Sequence, residues 1–207
     1  LQGCIFSNSR AEARALVNTF ALLGHQNLSA ADLRCSLDSS GPSVSSLWGI
    51  AGVGKSAVVR SLYSHLLLGL DQYFKFGSGH NLTSPQTEFT MCSWVDVRHP
   101  FNLIDFSCHL LLDFHSDDLQ AKEKAAIGIL EGQDPVQECR RIMCEYRSLV
   151  VLDGLRSRED WDLIKATFLP DSTNACIIVI TNEASVATHC VDNKEDRAVN
   201  VKGLEAD

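Results

Sequence analysis

From Gly49 to Ser56 the chain reads G-I-A-G-V-G-K-S, a run framed by glycines that closes on a lysine and a serine. Glycine reaches left-handed backbone angles and brings no side chain, so successive N–H groups can point into one hollow. Lys55 adds an ammonium group at the rim of that hollow and Ser56 adds a hydroxyl. Such an arrangement suits a polyphosphate: amides and ammonium meet phosphate oxygens, and the serine offers a ligand to the Mg²⁺ that travels with them. The run fits G-x-x-x-x-G-K-[ST] at every fixed position. Gly49, Ala51, Gly52, Val53, Gly54, Lys55, Ser56 and Ala57 are therefore the predicted phosphate-binding residues. A plain glycine turn is the simpler alternative, and the lysine–serine pair argues against it.

A phosphate-bound Mg²⁺ is usually held by one or two carboxylates as well. Asp153, which closes the apolar run "SLVVLD" at 148–153, is the residue in the right setting. Its rival role is to cap the turn that follows. Ser56 and Asp153 are the predicted metal ligands, and Asp153 is the one weak candidate for a catalytic group.

Elements must hold these residues in place. "VSSLWGI" at 44–50 reads as a strand running into the glycines, and "KSAVVRSLYSHLLLG" as a helix leaving them, closed by Gly69. "FTMCSWVDV" at 89–97 is aromatic and β-branched, hence a second strand. "SLVVLD" and "ACIIVIT" (175–181) are apolar throughout, as strands buried on both faces are, and "AVNV" at 198–201 is a weak fifth. Helices are expected at 102–114, at 135–146 behind the Asp134 cap and Pro135, and after Ser157 with Trp161, Ile164 and Phe168 on one face. Ser9 three residues before Glu12 marks a further helix ending at Gly24. Residues 71–88 read as a loop, and 116–133 show no clear period. Strands of this kind alternating with helices indicate an α/β fold with a parallel sheet covered on both sides.

Composition limits the function. Of 207 residues, 45% are hydrophobic and 21% charged, the balance of a folded globular chain. The net charge of −8 opposes binding to nucleic acid or an anionic membrane, and no apolar run is long enough to cross a bilayer. The eight cysteines form no C-x-x-C pair and are expected to be reduced, structural thiols in a reducing compartment. Trp48, Trp94 and Trp161 are expected in the core. The chain begins at Leu1, and is expected to be a piece of a longer protein.

These residues resemble the nucleotide-binding part of the NB-ARC family, the switch module of plant intracellular immune receptors and apoptosome proteins. "LWGIAGVGKSAVVR" resembles its phosphate loop, "FTMCSWVDVRHPFNLIDF" its W-V-x-V block, "SLVVLDGLRSREDWDLIKATFLP" its Walker B strand and helix, and "NACIIVITNEASVA" the strand after it. The wording of "WVDVRHPFNL" and "EGQDPVQECRR" is most similar to receptors of grasses. The resemblance implies a three-layer P-loop NTPase sandwich with a five-stranded parallel sheet ordered 5-1-4-3-2. It also implies a lead-in segment and helix at 1–40, a nucleotide-binding domain at 41–207, and ARC subdomains expected beyond Asp207. ADP or ATP with Mg²⁺ would be the ligands, and Ile5 and Phe6 would lie near the adenine. The partners implied are the flanking signalling, ARC and leucine-rich-repeat domains, with an oligomer on activation. No nucleic acid or membrane partner is implied for this segment, and the setting would be cytoplasmic.

Two departures from the family pattern bear on catalysis. The family usually carries a second aspartate after the Walker B acid, where this chain has Gly154. It also carries an arginine that senses the γ-phosphate at the end of the next strand, where this chain has Asn182. Losing a general base costs about 10²–10⁴ in rate. The resemblance thus implies nucleotide binding with very slow hydrolysis. The alternatives are an active ATPase or phosphotransferase, with Glu183 standing in as base, and a nucleotide-free scaffold.

Overall fold

The computed structural model describes residues 42–67, 89–170, 172–192 and 197–202. The predicted helix at 9–24 and the adenine candidates Ile5 and Phe6 lie outside the described residues, as does the loop at 71–88.

Five parallel strands form one sheet: β1 (Ser43–Trp48), β2 (Met91–Asp96), β3 (Ser148–Asp153), β4 (Ala175–Thr181) and β5 (Ala198–Asn200). Their order is β2-β3-β4-β1-β5, which is 5-1-4-3-2 read from the other edge. Helix α1 (Lys55–Leu67) follows β1; α2 (Leu103–Phe114), α3 (Leu119–Leu130) and α4 (Pro135–Glu145) fill the connection from β2 to β3; α5 (Arg158–Phe168) and α6 (Ala184–Cys190) complete the crossovers. The fold is the expected α/β sandwich.

Strand periodicity sorts the core into two layers. Val150, Leu152, Ile177 and Val179 meet Phe106, Leu110, Ile142, Trp161 and Phe168 on one side of the sheet. Leu149, Val151, Ile178 and Ile180 turn to the other side, against Val59 and Tyr63 of α1. Both central strands are therefore wet on neither face, which is why their sequences show no polar alternation. Of the three tryptophans, Trp161 is fully buried. Trp48 and Trp94 are only half-buried, and the Arg60 guanidinium sits 5.3 Å from the centre of the Trp94 ring.

The predicted caps hold their helices. Asp134 accepts from the Val136 amide with Pro135 opening α4, and Ser157 accepts from the Asp160 amide at the head of α5. Helix α3 lies in the stretch that gave no clear period: it buries no residue fully, and Leu119 and Leu130 are exposed. Helix α6 did not stand out in the sequence either. It has only seven residues, and its N-cap Glu183 makes no side-chain capping bond. Among the described residues, Cys92, Cys108, Cys139, Cys144, Cys176 and Cys190 form no disulfide with one another, and the Ser43 hydroxyl donates to the Cys176 sulfur at 3.1 Å. No helix among the described residues is long and apolar enough to cross a membrane.

Candidate functional site

The parallel strands end along one edge of the sheet, and the chain leaves β1 there at Gly49. A Cβ on Gly49 would lie 2.5 Å from the Val201 carbonyl oxygen, so only glycine fits beside the end of β5. Gly52 and Gly54 have φ of 80° and 95°, the left-handed region that other residues avoid. Ala51 and Gly52 are exposed, Val53 and Gly54 half-buried, and Ala57 exposed on the first turn of α1. The helix begins at Lys55, so its free N–H groups and positive dipole end face the same edge.

Lys55 is the focus of the loop. It is 7% exposed, and its ammonium donates to the Gly49 carbonyl at 3.0 Å, the Ile50 carbonyl at 2.9 Å and Asn182 Oδ1 at 2.7 Å. Burial pushes its pKa below the usual lysine value, and the charge of Asp153 works against that shift.

Asp153 sits two residues beyond Val151 on the α1 face, where it meets Ser56. Burial holds its pKa above the usual carboxylate range. The Ser56 hydroxyl, which donates to it, opposes this; Asp96 adds to the rise, and Arg60 and Lys55 pull it down. Ser56 and Asp153 are thus brought together although 97 positions separate them in the chain. They form a hard-oxygen pair of the kind that Mg²⁺ takes alongside phosphates. No group of three or more His, Cys, Asp or Glu suited to a metal occurs among the described residues. A cation here would therefore draw its remaining ligands from phosphate and water. The residues present fit Mg²⁺ on those terms.

The two departures are also on this edge. Gly154 has φ 85°, and its amide donates to the Ile180 carbonyl at 3.0 Å. A Cβ there would find only the Val97 carbonyl at 3.9 Å, so the backbone angle rather than space restricts the position. His99 Nε2 donates to the Gly154 carbonyl at 3.0 Å. Asn182 follows Thr181, whose hydroxyl accepts from the Glu183 amide at 3.1 Å and fixes the turn. Glu183 itself is exposed.

Neither spacing nor composition singles out Asp96, Arg60 or the acceptor role of Asn182. Asp96 is the register partner of Asp153 on the neighbouring strand. Its signal was an acidic residue ending an otherwise apolar strand. A separate open hollow of about 450 Å³ lies between α5 and α6, lined by Arg158, Ala184, Ser185, Thr188 and His189. It includes no phosphate-loop residue, and the chemistry assigns the candidate site to Lys55 instead.

A parallel sheet of this order, with a glycine loop between its first strand and a helix that opens on lysine and serine, defines a P-loop NTPase-type α/β domain. The family model described as "NB-ARC domain" matches residues 79–207, more than half of the chain, and the chain belongs to that family. The glycine loop precedes the matched segment.

Two curated relatives are the probable disease resistance proteins RF45 and RF9 of Arabidopsis thaliana. Each is 26% identical over 149 residues, spanning 72% of this chain and 12% of the relative. The chain thus spans about an eighth of the length of these relatives. Among solved structures, Cdc6p from Pyrobaculum aerophilum is 13% identical with a TM-score of 0.49, covering 86% of this chain and 45% of that one.

Proposed function

We propose that this chain is an adenine-nucleotide-binding switch domain of a plant disease-resistance receptor, taking ADP or ATP with Mg²⁺. The observation that carries the reading is the buried Lys55 ammonium at the mouth of a glycine loop, beside a Ser56–Asp153 pair joined by a hydrogen bond. Loop amides from Gly49 to Ala57 and Lys55 hold the phosphates. Ser56 and Asp153 hold the cation, which when bound neutralises phosphate charge. Ile5 and Phe6 are assigned to the adenine on the family resemblance alone.

Hydrolysis is very slow in this reading. Gly154 brings no carboxylate to orient water, and Asn182 brings no charge to a leaving phosphate. Removing a stabilising arginine costs phosphoryl transfer about 10³-fold or more. The chain then works by population shift: nucleotide favours one arrangement of the flanking signalling, ARC and repeat domains over another. Such a receptor acts in the cytoplasm, and an assembled oligomer is its active form.

Thermal unfolding with and without Mg²⁺–ADP tests the core of this. At a hundredfold excess over Kd, binding stabilises by about 2.7 kcal/mol, a rise of roughly 5–10 °C for a domain of this size. Lys55→Ala removes the rise. Equal shifts in both proteins, or none in either at millimolar nucleotide, would overturn the reading; the second outcome is that of a nucleotide-free scaffold.

A further inference from the structure

An ammonium group has three hydrogens to donate and no more. In Lys55 all three are committed within the protein, to Gly49 O, Ile50 O and Asn182 Oδ1. The first two acceptors belong to the loop and travel with it. The third comes from the tip of β4, 127 positions along the chain, and makes the shortest of the three bonds. The sheet explains the approach: β1 and β4 pair in register up to Trp48 and Thr181, so Gly49 and Asn182 are the first residues beyond two neighbouring strand ends.

A phosphate oxygen that takes a hydrogen from Lys55 must displace one of these acceptors. The carbonyls of Gly49 and Ile50 are tethered to Lys55 by five or six residues of tight turn. Asn182 is an exposed residue whose side chain can swing away. The turn carrying it does not depend on that side chain, because the Thr181 hydroxyl and Glu183 amide hold it. A cationic residue at 182 could not accept from Lys55 at all; the carboxamide can. We infer that Asn182 is a positioning residue that holds Lys55 in competition with phosphate, so that its side chain weakens nucleotide binding and sets the affinity of the loop. The inference rests on the phosphate-binding reading above, and concerns how that binding is regulated.

Calorimetric titration of the 207-residue chain with Mg²⁺–ADP tests it, using Asn182→Ala, Asn182→Asp and Lys55→Ala. Freed of one charge-assisted bond to be broken, N182A binds about tenfold more tightly than the unaltered chain. N182D, which grips the ammonium harder and repels phosphate, binds about tenfold more weakly or worse. In the absence of nucleotide, amine labelling read by mass spectrometry modifies Lys55 faster in N182A. Such a change is not expected from a side chain that merely decorates the turn. Equal or weaker binding by N182A overturns the inference whatever the labelling shows, and so does unchanged labelling of Lys55. If Lys55→Ala loses binding while N182A matches the unaltered chain, the loop binds phosphate and only the competition is refuted. If the unaltered chain takes up no ADP, the phosphate reading fails and this inference with it.

Discussion

The run from Gly49 to Ser56 and the strand tips at Asp153 and Asn182 face the same edge of the sheet, but they are assembled differently. The first is one continuous stretch whose geometry is fixed by glycine and by the helix start at Lys55. The second is gathered from two strands about thirty positions apart, and exists only once β3 and β4 lie side by side. The first is bound by local backbone angles and, at Gly49 alone, by the Val201 carbonyl; the second is bound by sheet register. A substitution at a strand tip such as Gly154 or Asn182 therefore leaves its neighbours' backbone in place, whereas one at Gly49 meets the Val201 carbonyl at once.

The largest effect expected from that contrast is at Gly49. Gly49→Val drives a side chain onto the Val201 carbonyl, where even a Cβ would sit at 2.5 Å. Overpacking against main chain costs about 3 kcal/mol, or roughly 6–12 °C in melting temperature for this size. Nucleotide stabilisation should vanish with it. A variant that melts normally would show the loop to be more forgiving than the strand tips, and the comparison would break.

Gly154→Asp probes the other region. There is room for the side chain, and aspartate is among the few residues that accept a positive φ, so the stability cost should be about 1 kcal/mol. Restoring a carboxylate next to Asp153 should raise phosphate release about a hundredfold. Steady-state release by the variant no faster than by the unaltered chain would mean that more than one missing acid limits turnover.

Asp153→Asn should give the smallest change, and one whose sign depends on the ligand. The folded state holds the Asp153 proton more tightly than the unfolded chain does. The associated stabilisation is complete below the unfolded carboxylate value of about 4, and is lost as pH rises through the folded value. At neutral pH the ligand-free protein thus bears a charge that burial disfavours. The asparagine variant should melt slightly higher there, with the gap closing as pH falls towards about 4. With Mg²⁺–ADP the order should reverse, because only the carboxylate meets the cation. Melting curves across pH, with and without Mg²⁺–ADP, check both halves.

The same contrast explains what was legible before folding. The phosphate loop is a local pattern whose spacing carries its own physics, and the apolar runs of β3 and β4 announced strands covered on both faces. Asp134–Pro135 and Ser157 marked helix starts because capping acts within one turn. Helix α3 escaped because its apolar residues cover no full stripe; Leu119 and Leu130 remain in water. Helix α6 escaped because seven residues hold barely two turns of period. In the sequence Asn182 shows only as the absence of the family's arginine, since nothing near it in the chain discloses Lys55 as its partner. That bond, like the pairing of Asp96 with Asp153, belongs to register and not to sequence neighbourhood.

One residue, Val201, ties the start of the loop to the end of β5, the edge strand that pairs with β1. The Val201 amide continues the ladder onto the Trp48 carbonyl at 2.8 Å, while the Val201 carbonyl fills the space where Gly49 lacks a side chain. The third strand-edge residue after Ala198 is thus a backstop for the first glycine of the cradle. A shift of the Val201–Lys202 peptide would therefore bear directly on the Gly49 backbone, with no intervening side chain to absorb it.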